Sequence, residues 1–168
     1  MSRRATLADA RPIAELQVQA WLRNYPDFVD PRHVADVDRE ARAAHWVESL
    51  SFGPDETFVL EVAGAVRAFA TVGPLRESPA VADAAAAGAG ELVALYVDPP
   101  AQGAGVGTAL LAEAEQALRA AGRHQAVLRT LEGNGLARTF YERHGWSLLA
   151  GVLEPHEWGP HVVYRREL

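Results

Sequence analysis

The residues with the clearest chemical purpose form one run, Gln102-Gly103-Ala104-Gly105-Val106-Gly107-Thr108. Glycines let a backbone approach a ligand closely and take positive φ. Where such a run opens a helix, the unpaired N–H groups of the first turn face outward along a favourable dipole. Together these features make an anion cradle suited to a pyrophosphate; the plain alternative is a glycine-rich turn that binds nothing. Two other nucleotide motifs fail here. The dinucleotide fingerprint needs a third glycine three residues after the second, and that position is Thr108. The Walker loop needs Gly-Lys-Ser/Thr, and all 16 basic residues of this chain are arginine.

Absences narrow the chemistry further. There is no cysteine, which excludes a thiolate metal site and a covalent cysteine intermediate. The lack of lysine excludes Schiff-base catalysis. The six histidines show no metal spacing, so no metal is expected. Net charge is −6 without a basic block, which argues against a nucleic-acid partner. No apolar run approaches the ~20 residues that span a bilayer, so no membrane partner is expected. Met1-Ser2-Arg3-Arg4-Ala5 leads into no apolar signal core, and a cytoplasmic location follows by default.

The elements that must position the cradle can be read from periodicity. At 168 residues without a dividing linker, the chain reads as a single domain over 1–168. A strand over Arg3–Thr6 leads to a helix with Asp9 as N-cap, running to about Asn24. Pro26–Pro31 breaks it, and a second helix is expected from His33 to Leu50. Strands Thr57–Val62 and Val66–Val72 form a hairpin about Ala63-Gly64-Ala65. Arg76–Gly90 is rich in alanine but carries glycines and prolines; a surface loop is favoured over a helix.

Glu91–Val97 is a short apolar run suited to a central strand. A long helix from Gly105 to Ala121 follows the cradle, and Gly122 closes it. Gln125–Leu131 is a strand, Asn134–His144 a short helix with His144 at its end, and Trp146–Leu153 with His161–Glu167 a last strand pair. Trp46 and Trp146 read as core anchors. The order predicts an α/β mixture with a largely antiparallel sheet rather than a regular βαβ alternation.

Gln102, Gly105 and Gly107 resemble the Gln/Arg-x-x-Gly-x-Gly/Ala motif of the GNAT superfamily of acetyl-CoA-dependent N-acetyltransferases. The flanking strand Glu91-Leu-Val-Ala-Leu-Tyr-Val-Asp-Pro and helix Ala109-Leu-Leu-Ala-Glu-Ala are similar too. Asn134-Gly-Leu-Ala-Arg-Thr-Phe-Tyr-Glu-Arg-His-Gly-Trp146 resembles the second signature of that family. The resemblance covers nearly the whole chain. It implies a mixed, largely antiparallel sheet flanked by helices, with a splayed parallel strand pair that binds the cofactor, here Glu91–Val97 and Gln125–Leu131. It implies that backbone groups of Leu95, Tyr96 and Val97, turned outward by a bulge, meet the pantetheine arm. The amides of Gly103, Ala104, Gly105, Val106, Gly107 and Thr108 would take the pyrophosphate, and Asn134 would bond to the cofactor arm.

The implied activity is acetyl transfer from acetyl-CoA to a primary amine. Tyr141 occupies the Phe-Tyr-Glu position and would protonate the departing thiolate, unless it is a core tyrosine. Glu91 aligns with the glutamate that serves as base in some members, although a strand-edge carboxylate facing water is as ordinary. Without cysteine, direct transfer in a ternary complex is favoured over a ping-pong route. The rival reading is a catalytically inactive acyl-CoA-binding sensor or interaction domain.

The acceptor is where the sequence says least; a small molecule is favoured over a peptide, and a homodimer is a family option. By the resemblance, the first two helices and the last two strands wall the acceptor side. Trp21, Tyr25, Asp27 and Asp30 make an aromatic and acidic connection there that could attract a cationic amine. The plain alternative is a solvated helix start. Trp158 and His161 are next in line on that side.

Overall fold

Segments rich in β-branched and aromatic residues pair into one seven-stranded sheet in the computed structural model, which describes residues 2–168. The strands are β1 (Ser2–Arg4), β2 (Glu56–Val62), β3 (Ala65–Pro74), β4 (Gly90–Val97), β5 (Gln125–Leu131), β6 (Ser147–Glu154) and β7 (His161–Glu167). Their order in the sheet is β1-β2-β3-β4-β5-β7-β6. Every neighbouring pair is antiparallel except β4 and β5, which run parallel. The helices are α1 (Ala10–Asn24), α2 (Pro31–Ala35), α3 (Arg39–Phe52), α4 (Ala82–Ala86), α5 (Val106–Ala120) and α6 (Gly135–Arg143).

Two cores follow from the alternation of the strands. On one face Leu110, Leu111, Ala114 and Leu118 of α5 cover Ala68, Ala70, Leu92, Ala126 and Leu128. Each leucine buried there contributes roughly 1.5–3 kcal/mol. On the other face Ile13, Leu16 and Trp46, from α1 and α3, pack on Val59 and Phe69. Trp46 and Trp146 are both buried, as core anchors should be. No helix among the described residues is long and apolar enough to cross a membrane.

The structure corrects three local expectations. The helix expected over His33–Leu50 is two helices, because Asp30 accepts from the Arg32 amide to start α2 and Asp38 accepts from Glu40 and Ala41 to start α3. Pro31 is tolerated as the first helical residue, where no N–H is needed. Asp9 does not cap α1 with its side chain; it reaches back to the Thr6 amide at 2.7 Å and to Arg3. Within the expected loop, Pro79–Val81 makes a single 3-10 turn and Ala82–Ala86 is helical. Alanine propensity prevails there because Val81, Ala84 and Ala89 are buried against Val127 and Val163.

Candidate active site

The sheet opens between its two parallel strands. β4 and β5 pair only through Gly90–Leu92 and Ala126–Leu128. Beyond that, β4 continues along β3 and β5 continues along β7, so the two parallel strands part. The register of β4 against β3 jumps from Leu92 to Ala94, leaving Val93 as an extra residue. Leu95, Tyr96 and Val97 follow this bulge, paired with β3 and facing no β5 residue. All three are half-buried, unusual for the middle of a seven-stranded sheet.

The glycine run lies at the end of β4 that borders this opening. Gly103 and Gly105 adopt φ of 79° and 78°, the left-handed region that glycine occupies without cost. Gly105 is the N-cap of α5. No heavy atom lies within 4 Å of a Cβ built at Gly103 or Gly105, so both face open space. Gly107 differs: a Cβ there would meet Phe140 and Val97 at 3.4 Å, so its lack of side chain lets α5 start close against α6 and β4. Gln102 Nε2 donates to the Val97 carbonyl at 3.3 Å, tying the loop to the strand it leaves.

Thr108 Oγ1 and His144 Nε2 lie 3.0 Å apart, and His144 Nδ1 donates to the Phe140 carbonyl at 2.7 Å. Ala104 and Val106 complete the turn, and the α5 start they flank presents an outward dipole. This geometry fits an anionic group such as a pyrophosphate.

Tyr141 projects from α6 with its ring among Phe140, Trp146 and Tyr164. It is buried, and burial together with the nearby Tyr96 hydroxyl pushes its ionisation well above the ordinary tyrosine range. The phenol therefore keeps its proton. Asn134 is buried as the N-cap of α6, its side-chain oxygen accepting from the Ala137 amide at 3.1 Å.

Glu91 is buried within the paired part of β4, and both its oxygens are engaged. Arg129 Nη1 donates to Oε1 at 2.9 Å and the Arg76 amide donates to Oε2 at 2.7 Å. Arg129 also holds Glu154, the Arg76 carbonyl and the Ser78 hydroxyl.

The acceptor side carries an aromatic cluster. Trp21 Nε1 donates to the Tyr96 hydroxyl at 2.9 Å, and the Tyr25 and Tyr96 hydroxyls lie 3.5 Å apart. Trp158, from the β6–β7 connection, meets Trp21 edge to face at 4.9 Å. Burial and the Tyr96 hydroxyl push Tyr25 far above its ordinary range, and the Tyr141 hydroxyl adds to the effect. The hydroxyls of Tyr25 and Tyr96 thus converge on the indole N–H of Trp21. Asp27 and Asp30 are exposed, but Asp30 is spent on Arg32, both as helix cap and as ion pair. Among the described residues no cluster of His, Asp or Glu is arranged to hold a metal ion.

A family model described as the acetyltransferase (GNAT) family matches residues 16–146, a stretch holding the bulged strand, the glycine turn, Asn134 and Tyr141. The chain belongs to the GNAT family. Solved structures give the same fold. One is a PaiA N-acetyltransferase from Thermoplasma acidophilum in complex with coenzyme A, with a TM-score of 0.76 at 17% identity, covering 100% of this chain and 98% of that one. Another is a ribosomal-protein-alanine N-acetyltransferase from Brucella melitensis, with a TM-score of 0.75 at 23% identity, covering 100% and 99%. A third is a GNAT superfamily phosphinothricin acetyltransferase from Sinorhizobium meliloti in complex with acetyl-CoA, with a TM-score of 0.72 at 21% identity, covering 100% and 88%. No curated protein matches the chain in sequence.

In this GNAT domain, sequence reasoning brought the cradle, the bulged strand, Tyr141 and the aromatic connection to one opening, but it missed Arg129. A signal was present. Glu91 and Arg129 are the lone charges of two apolar strands expected to be neighbours, which is the pattern of a buried ion pair.

Proposed function

We propose that this chain transfers an acetyl group from acetyl-CoA to a primary amine, a small molecule in preference to a peptide, directly within a ternary complex. The observation that carries the reading is the opening where β4 parts from β5, with the glycine turn at one border and the adjoining hydroxyls of Tyr25 and Tyr96 at the other. Family membership and the fold shared with coenzyme A complexes support it.

Acetyl-CoA supplies the acetyl thioester. The amides of the turn from Gly103 to Thr108 would hold its pyrophosphate, and the free edge of β4 at Leu95–Val97 its pantetheine arm. Asn134 caps α6 and thereby fixes the helix from which Tyr141 projects. Tyr141, held protonated by burial, can donate to the departing sulfur. The packing of Trp21, Tyr25 and Trp158 across the acceptor side favours a compact acceptor over an extended peptide. With no cysteine in the chain, an acyl-cysteine route is absent.

Thiol release from acetyl-CoA in the presence of amines, amino acids, aminoglycosides and peptides tests the reading. Release with a small amine, and a fall of ~10²–10⁴ in kcat for Tyr141→Phe at unchanged cofactor affinity, are the expected results. Cofactor binding without release from any amine would instead make this a sensor domain.

A further inference from the structure

An alkyl amine, with a pKa near the ~10.4 of lysine, reaches neutral solution mostly as its ammonium and must shed a proton before attacking. The carboxylates nearest the strand opening are committed. Glu91 and Glu154 are both held by Arg129, and Glu154 is also bonded by Ser78. His161 is not committed in this way.

His161 opens β7 directly opposite Leu131 of β5 and Glu154 of β6. Opposed residues of an antiparallel ladder share a face. Leu131 packs with Trp21, Tyr25 and Trp158, so His161 stands on the face of the aromatic wall. Its ring is half-buried and lies 4.3 Å from that of His156, which is exposed to solvent and 6.3 Å from Trp158. Among the hydrogen bonds of the described residues, none uses either ring nitrogen of His161. Neither nitrogen is a sealed, unpartnered atom, since the buried side-chain atom without a partner is Asp55 Oδ1.

We propose that His161 takes the proton from the acceptor ammonium and passes it, through exposed His156, to solvent; the proposal rests on the transferase reading above. The ammonium N–H bond breaks and its proton goes to the His161 ring. The freed lone pair forms the new C–N bond and the C–S bond breaks. A second amine proton leaves as the amide forms and balances the one that ends on the sulfur.

The charges around the ring suit this role. Burial pushes His161 down to about 4, the neighbouring His156 and Arg129 push the same way, and Glu154 opposes them. At neutral pH the ring is uncharged, presents a lone pair, and does not repel an incoming cation. Transfer from the ammonium to a ring held this low is uphill, so it completes only because the adjoining, exposed His156 passes the proton on to solvent.

The test compares strongly basic alkyl amines with weakly basic aromatic amines or hydrazines, which are already unprotonated at pH 7. For His161→Gln, kcat/KM should fall ~10²–10⁴ with alkyl amines and less than about threefold with weakly basic ones. The alkyl-amine loss should disappear as pH rises toward ~10. His161→Ala should regain activity with added imidazole. Acetyl-CoA affinity by calorimetry should match the parent in both variants, certifying the fold. Equal losses for both amine classes, a loss that persists at high pH, or no loss would overturn the role of His161 while leaving the transferase reading intact. A parent protein that releases no thiol with any amine would overturn both.

Discussion

Arg129 Nη1 donates to Glu91 Oε1 at 2.9 Å just where β4 and β5 stop pairing. Arg129 is the first β5 residue past the parallel ladder, and its guanidinium also reaches Glu154 on β6 and the carbonyl of Arg76. One side chain therefore joins two sheet strands and the segment before α4 at the apex of the opening. The pair bridges the two strands where they part and keeps a buried carboxylate from standing alone.

Removing one partner of such a buried pair leaves an uncompensated charge and typically costs about 3–5 kcal/mol. Arg129→Met should destabilise the protein by that order in urea unfolding. Adding Glu91→Leu to Arg129→Met should recover part of the loss, because an apolar pair of similar volume often replaces an ion pair without penalty. A single variant as stable as the parent would show that the pair is dispensable.

The cradle makes a second prediction, in two substitutions that separate conformation from space. Gly105 has φ of 78° with open space where a Cβ would stand, so Gly105→Ala meets strain and no clash. The cost should be about 1–2 kcal/mol of stability, with acetyl-CoA binding weakened but measurable. Gly105→Glu adds bulk and negative charge at the same point and should abolish binding while the fold survives. Calorimetry showing normal affinity in folded Gly105→Glu would remove the phosphate from this turn.

Much of this architecture was legible in the sequence, and the reasons differ by element. The helix over Val106–Ala120 was readable because Leu110, Leu111, Ala114 and Leu118 keep helical spacing between two punctuating glycines. The cradle was readable because glycine types its own backbone conformation. Asp30 reads in the sequence as part of an acidic connection, whereas its side chain caps a helix, as that of Asp38 does, a local choice that composition does not reveal. The Arg76–Gly90 segment was ambiguous because alanine favours a helix while its glycines and prolines do not; burial of Val81 and Ala84 decided it. The side-chain commitments of Glu91 depend on a partner 38 residues away and on the register between strands. Periodicity carries no such information.

Acid should weaken the N-terminal end of the fold in a defined window. Arg3 donates to both oxygens of buried Asp9 at 2.8 Å, and this holds the carboxyl down at about 2 from its ordinary 3.8. A carboxyl depressed in the folded state contributes stability that is full above its unfolded value and is lost as pH falls through the folded one. With Arg3 half-exposed and screened, the contribution is about 1–2 kcal/mol. The stability difference between parent and Asp9→Asn should be constant above about pH 5 and shrink from about pH 4 to 2. A difference that does not change across that range would assign the effect to packing alone.

The last prediction separates the two aspartates of the α1–α2 connection. Both are exposed, yet Asp30 is paired with Arg32 at 2.6 Å and caps α2. Its charge is compensated locally, and Asp30→Asn keeps an acceptor oxygen for the cap. Asp27 forms no ion pair with any described residue, so its field extends toward Tyr25 and the aromatic wall two positions away in sequence. A cationic acceptor guided to the site by charge should feel Asp27 and hardly notice Asp30. Asp27→Asn should raise KM for the amine roughly two- to fivefold at low salt, with the effect fading as screening shortens to ~8 Å at physiological ionic strength. KM for acetyl-CoA should stay constant in both variants. Equal effects of Asp27→Asn and Asp30→Asn on the amine, or a matching change in KM for acetyl-CoA, would show that this connection is only a solvated helix start.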